Sequence, residues 1–419
     1  MKIIAIDAYE ILASGGYPTI EASVTLEDGT TATTSVPYGA SAGSHEATVM
    51  MDADATRWNG KGMNNAVSNI KKLITPAILN LDAYDQRKID ETMIALDGTA
   101  NKAKLGGNAI LAVSIAVANA AAKSKKVELY RHVIDTFNTG VDLTNLPQPM
   151  VVVMEGGKHA DETTDLQEFC LSAKRQSSVK ENVRMIMETY HQLAKVLKEN
   201  HLSTNVGNEG AFAPNGIPSN EAPFAYMLEA IKRAGYTAGS DIGISIDAAA
   251  TEFHEDGVYD LKLEKRALNA GDLIAYYKTW LEKYPIATFE DMLDEDDWEN
   301  WPKLKTLCDQ FHVPLIGDDL TVTNVERLQK AIDTKSISAI LIKLNQIGTL
   351  TETVDCCMLA KQNGLMTTTS HRGGGETNDA TMVDVAVAVG SAYIKVGPTR
   401  GERVSKYNRL MAIERQVSK

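Results

Sequence analysis

ATFEDMLDEDDW (residues 287–298), PLIGDDLTVTN (314–324), AILIKLNQIGTL (339–350), LMTTTSHRGGGE (365–376) and AYIKVGP (392–398) share one design: a short apolar stretch ends on a chemically capable side chain. Glu290, Asp318, Lys343, His371 and Lys395 follow one another at intervals of 24 to 28 residues, about the length of one strand plus one helix. Asp247 closes an earlier stretch, IGISID, in the same way. A parallel β/α barrel brings the carboxyl ends of its strands to one face, where active sites gather. Three carboxylates, two lysines and a histidine would then converge on one pocket. Three acids that close need a cation, and two lysines need anionic ligand groups. The pattern predicts a metal-dependent enzyme acting on an anion.

Outward from this run, strand patterns are predicted at 150–154, 242–246, 286–289, 314–316, 339–342, 366–369 and 393–394, with amphipathic helical stretches between most of them, such as 179–198 and 267–283. Such alternation implies a parallel sheet, and residues 139–419 are long enough to close it into a barrel. A doubly wound open sheet is the alternative. It is disfavoured because polar residues close many successive strands instead of clustering at one switch point. Ahead of the barrel, Ile20, Ala22, Val24 and Leu26 alternate with Glu21, Ser23 and Thr25, and Asp28-Gly29 turns the chain into a Thr-rich strand at 31–36. Helical patterns follow around 64–74, 85–96 and 108–123, giving an α+β domain over residues 1–138. The expected fold class is thus α/β: a barrel with a small α+β domain packed on its mouth.

Composition narrows the function classes. A chain of 419 residues exceeds one ordinary core, in line with two domains. Its net charge of -13 argues against nucleic acid or an anionic membrane as partner, since both require basic surface. The four cysteines, Cys170, Cys308, Cys356 and Cys357, form no metal-binding CxxC spacing and read as free thiols in a reducing compartment. The start, MKIIAIDAYEIL, meets acidic residues too early for a signal peptide, and NAILAVSIAVANAAA from Asn108 is too short and polar to span a bilayer. A cytoplasmic protein with a buried helix at that stretch is expected.

Each candidate residue has a plainer alternative. Asp247, Glu290 and Asp318 offer the oxygen-only donor set that suits Mg²⁺, or each caps the helix after its strand. Lys343 and Lys395 follow apolar strand residues. Burial beside another cation would depress a lysine pKa and make a base of one of them, whereas a structural ion pair is the alternative. Glu168 in DLQEF and Glu209 in GNEGAFAP sit in loop-like contexts. Two neighbouring carboxylates there would raise one pKa and leave a general acid. His159 in GGKHAD is an ordinary loop histidine or a ligand contact. In SHRGGGE, Arg372 and the glycines after it offer a guanidinium fork and a run of backbone N–H groups, a phosphate cradle or a simple turn. YGASAG from Tyr38 reads as a lid with Ser41 as its polar contributor, and it lacks the Lys-Ser/Thr ending of a P-loop.

Together YGASAG, GGKHAD, LQEF, GNEGAFAP, SIDAAATEF, FEDMLDEDDW, GDDLTVTN, IKLNQIGTL, SHRGGGET and YIKVGPTRGER, in this order, resemble the enolase family, the phosphopyruvate hydratases of glycolysis, over nearly the whole chain. The resemblance implies an N-terminal capping domain and a barrel whose first units depart from simple alternation. It implies that Asp247, Glu290 and Asp318 hold one Mg²⁺ and that Ser41 helps to hold a second. Lys343 is then the base and Glu209 the general acid, with Glu168 beside it. His159, Gln167, His371, Arg372, Gly373 and Lys395 bind substrate. The implied reaction interconverts 2-phosphoglycerate and phosphoenolpyruvate plus water, in a cytoplasmic homo-oligomer, dimeric or larger; additional display at the cell surface stays open.

Departures from the family pattern accompany the match. Three glycines, Gly373 to Gly375, stand where Ser-Gly is usual, so one hydroxyl donor to phosphate is missing. Tyr38 and Ala42 occupy places where small hydroxyl residues are common. Val152 and Glu155 replace amides, Asn208 stands for an Asp, and Met292 for a Pro. Two rivals follow: a related dehydratase of the superfamily acting on another acid, and a low-activity paralogue serving as a binding or surface protein.

Overall fold

A computed structural model describes residues 1–39, 43–174 and 177–418. The chain begins with an antiparallel meander, β1 (Ile3–Leu12), β2 (Pro18–Leu26) and β3 (Thr31–Val36). Alternate residues of β2, from Ile20 through Leu26, are fully buried, as the period-two pattern predicts. The helix Gly107–Ser124 covers that sheet and is buried almost all round, which explains its near-continuous Ala, Val and Ile content.

Eight strands then close the barrel: β4 (Gln148–Glu155), β5 (Glu168–Ala173) and β6 (Ile242–Asp247), followed, after a small sheet of β7 (His254–Glu255), β8 (Val258–Leu261) and β9 (Arg266–Leu268), by β10 (Ile286–Glu290), β11 (Leu315–Gly317), β12 (Ala339–Ile342), β13 (Met366–Ser370) and β14 (Tyr393–Val396). β14 pairs with β4 to complete the ring. Met150, Val152, Cys170, Ile316, Ala339 and Leu341 cluster as an inner core, separate from the larger apolar cluster that includes the outward-facing Val151, Ile340 and Ile342.

The strand pattern does not predict β5, and the reason is physical. β5 runs antiparallel to both β4 and β6, so it opens on Glu168 instead of ending on it. Glu168 is a buried strand residue and not the loop residue its context suggests. The helix expected from residue 267 starts at Ala270, because Asn269 Oδ1 accepts the Asp272 amide and Arg266–Leu268 joins β9. The α+β domain packs on the barrel through Thr34 Oγ1 donating to Asp379 (2.6 Å), Thr351 Oγ1 donating to Asp90 (2.6 Å) and the Lys102–Glu352 ion pair (2.9 Å). All four cysteines are buried and free. Among the described residues no helix is long and apolar enough to cross a membrane.

Candidate active site

The register of the barrel sets four carboxylates in a row. Glu155 ends β4 opposite Glu168, Glu168 pairs with Asp247, and Asp247 pairs with Glu290. All four are nearly inaccessible to water. Buried charges of one sign are tolerated only with partners. Lys395, rising from β14 across the barrel, supplies one: its Nζ lies 2.8 Å from Glu168, 2.9 Å from Asp247 and 2.7 Å from Glu290. Lys343, just after β12, pairs with Asp318, whose other oxygen accepts Gln346 Nε2 at 2.7 Å.

These contacts dispose of the helix-cap alternative. The helix after β11 is capped by Asn324, and Asp247 uses its second oxygen only for the nearby Ala249 amide. They also correct the expected lysine pKa. Burial pulls Lys343 down, yet Asp318 outweighs it and holds the ammonium above its ordinary value; Lys395 is held up likewise by Asp247, Glu168 and Glu290. Burial, with Asp247 alongside, pushes the Glu290 carboxyl well above the usual range.

The other half of the mouth is built from irregular chain. Glu209, in the turn before Phe212, faces two histidines: His371 Nε2 at 3.1 Å and His159 Nδ1 at 3.7 Å, with His159 Nδ1 also 3.2 Å from Glu168. Against burial, which raises it, His371 and then His159 hold the Glu209 carboxyl well below its ordinary value. Glu168 is also held low, by Lys395 and His159 against burial and the Glu209 charge. The expected raised carboxyl is therefore neither of these two. It is Glu155, which burial and the Glu209 charge push up to about 8. His159 is depressed by burial, but Glu168, Glu209 and Glu155 raise it to about 9.

A narrow cavity of about 20 Å³ joins the two halves, lined by Gly39, His159, Gln167, Glu168, Glu209, Lys343, Ser370, His371, Arg372, Gly373 and Lys395. The sequence-predicted substrate set and both proton-transfer candidates thus meet in one place. Among the described residues, Gln167 Oε1 and Asn345 Nδ2 are buried without a hydrogen-bond partner, as expected of polar groups reserved for a ligand.

The segment after YGASAG reaches the cavity lining through Glu46 and Arg372. Ser44 Oγ donates to Glu295 (2.7 Å), His45 pairs with Asp296 (3.0 Å), and Glu46 pairs with Arg372 (3.0 Å). Ser41 lies outside the described residues. Glu46 is a site residue that the sequence analysis misses; its only signal is its position a few residues after YGASAG. The phosphate-cradle expectation narrows, because the Arg372 amide already donates to Glu376 and the Gly375 amide to Tyr38. A Cβ at Gly375 would sit 2.4 Å from the Tyr38 ring, so the unusual tyrosine fills room that a side chain there would need. A Cβ at Gly373 would meet Glu209 Oε1 and His159 Nε2, each at 2.9 Å, so a serine there crowds the acid end of the pocket.

A family model for the enolase N-terminal domain matches residues 3–133, and one for the enolase C-terminal TIM barrel domain matches residues 143–419. The chain belongs to the enolase family. It is 46% identical to the enolase of Beutenbergia cavernae over 419 residues, all of this chain and 96% of that protein. Membership makes it an enzyme with a TIM-type catalytic barrel and implies a metal cofactor. The residues present fit such a group. Asp247, Glu290 and Asp318 offer carboxylate oxygens only, and a further group of acids, Asp291, Asp318 and Asp319, brings its ligand atoms within 4.8 Å of one another.

Proposed function

We propose that the protein interconverts 2-phosphoglycerate and phosphoenolpyruvate plus water with Mg²⁺ as its metal. The observation that carries this reading is the cavity lined at once by Lys343, Glu209, Arg372 and Lys395: a base, an acid and two cations for one small anion. Asp247, Glu290 and Asp318 would hold one ion; Ser41, expected to help hold a second, lies outside the described residues. When bound, the divalent ions offset the crowded carboxylates and stabilise the charge that develops on the substrate carboxylate.

The chain's own residues do the rest. Lys343 takes the proton from C2, the carbon beside the substrate carboxylate. Beside Asp318 it is held as an ammonium, and it becomes a base once that carboxylate is engaged elsewhere and the ammonium has given up its own proton. Lys395 lies next to the growing negative charge. Arg372 exchanges Glu46 for the phosphate and fixes orientation, aided by His371, His159 and Gln167. Glu209 protonates the hydroxide leaving C3, while Glu168 orients His159. Burial of the whole set keeps water from competing for these charges.

The same reading includes a homo-oligomer of at least two chains and a cytoplasmic setting. The deciding assay follows phosphoenolpyruvate absorbance from 2-phosphoglycerate, with Mg²⁺ and after chelation. Mg²⁺-dependent formation is expected. No absorbance change with a folded, metal-loaded protein would overturn the assignment and favour another acid substrate or a binding role.

A further inference from the structure

Glu155 is the one carboxylate of the row that touches neither lysine nor substrate cavity, and it stands where the family pattern noted above has an amide. Its side chain turns to the segment 207–211. The Glu209 amide lies 3.1 Å from each Glu155 oxygen, and the Ala211 amide donates at 2.8 Å. The fit leaves no spare room: a Cβ at Gly207 would come within 2.5 Å of Glu155 Oε2. The same segment is held from outside by Thr399 Oγ1 and Tyr190 Oη, both donating to the Gly210 carbonyl, and by Arg400 donating to that of Gly207. Glu155 Oε1 accepts from both amides, while its Oε2 lies against the Glu209 N–H as well, where an amide side chain would set an NH₂ group.

We propose that Glu155 is a positioning residue for Glu209: it clamps the backbone that carries the proton donor and tunes that donor with its own charge. This rests on the reading of Glu209 as the general acid. The charged or titratable groups facing the pair include Glu168 from β5, His159 from the turn after β4, His371 after β13, Tyr190 from the helix Val179–Glu199, and Arg403 and Tyr407 from the helix Gly401–Val417. Two buried carboxyls that repel each other titrate as a unit. With Glu155 up to about 8, the pair retains one proton across neutral pH. That proton supports dehydration whenever it resides on Glu209. Without the second carboxyl, Glu209 stands alone among cationic neighbours and gives its proton up at lower pH.

The test compares pH profiles of phosphoenolpyruvate formation and of C2 hydrogen exchange in deuterated water, with Mg²⁺ and 2-phosphoglycerate. In Glu155→Gln the alkaline limb of dehydration should move down by about one pH unit or more, while C2 exchange keeps the parent profile. Glu155→Asp keeps the charge but shortens the clamp, so it should lower kcat at every pH and leave the limb in place. If Glu155→Gln does not fold, carboxyl ¹³C titration of the parent protein decides. A glutamate should titrate near 8 and shift down in Glu209→Gln; no carboxyl titrating above about 6 contradicts the proposal. A uniform loss of rate in Glu155→Gln with an unmoved limb also overturns it and leaves Glu155 a purely structural residue. Dehydration surviving in Glu209→Gln would instead overturn the acid assignment itself.

Discussion

At the Lys395 end of the mouth each buried acid faces an ammonium group; at the Glu209 end the acids face two histidines and a set of backbone amides. Strand ends build the first half, at positions fixed by register to a neighbouring strand. The second half hangs on turns, on the antiparallel β5 and on a glycine-rich loop. Charge at the first end is anchored by two ammonium groups held above their ordinary range. At the second it depends on groups raised to about 8 and about 9. In the proposed reaction, proton removal beside a carboxylate falls to the first half and proton donation to the second.

The largest effect should come from the first half. Lys343→Ala should cut dehydration by about 10⁴-fold and abolish C2 exchange with it; exchange persisting at the parent rate would place the base elsewhere. Asp318→Ala should next weaken Mg²⁺ binding by more than the ~10–100-fold that loss of an outer-shell partner costs, with partial recovery of rate at high metal. Calorimetry giving an unchanged affinity would remove Asp318 from the ligand set.

In the second half, Gly373→Ser tests crowding. The resemblance alone suggests that a serine restores a missing phosphate contact. The geometry predicts the reverse, because the new Cβ would lie 2.9 Å from both Glu209 and His159. Displacing packed groups costs ~1–3 kcal/mol, so kcat/KM should drop about tenfold, and a lowered KM would show that the loop gives way.

The smallest effect is on stability. Glu155 and His159 have folded pKa values of about 8 and about 9, above their ordinary 4.5 and 6.5. The folded state therefore holds more protons than the unfolded one, through Glu155 between about 4.5 and 8 and through His159 between about 6.5 and 9, and stability should fall as pH rises from about 4.5 through 9. Denaturant midpoints across that range should decline, less steeply in Glu155→Gln. A flat profile would contradict the titratable character of this half.

The same division explains what was legible in the sequence. Glu290, Asp318, Lys343, His371 and Lys395 could be found because β/α units repeat at nearly constant length and each residue closes one, and Asp247 because it ends an apolar strand in the same way. Their role as partners, and the resulting rise of the lysine pKa, could not, since it depends on Lys395 reaching across a closed ring. β5 escaped because its direction inverts the expected place of its acid. Glu46 escaped because it meets Arg372 across more than three hundred residues of chain, with no local spacing to mark it. Glu155 was visible only as a departure, and its function emerges from two amides that no periodicity predicts.

The separation of the two halves is tested most directly by following C2 hydrogen exchange of 2-phosphoglycerate in deuterated water, by NMR, in Glu209→Gln. The account predicts that dehydration falls about 10³-fold while exchange continues near the parent rate, because Lys343, Lys395, Arg372 and the three carboxylates proposed to hold the metal are untouched. Exchange lost together with dehydration, in a folded variant that still binds substrate and Mg²⁺, would contradict it.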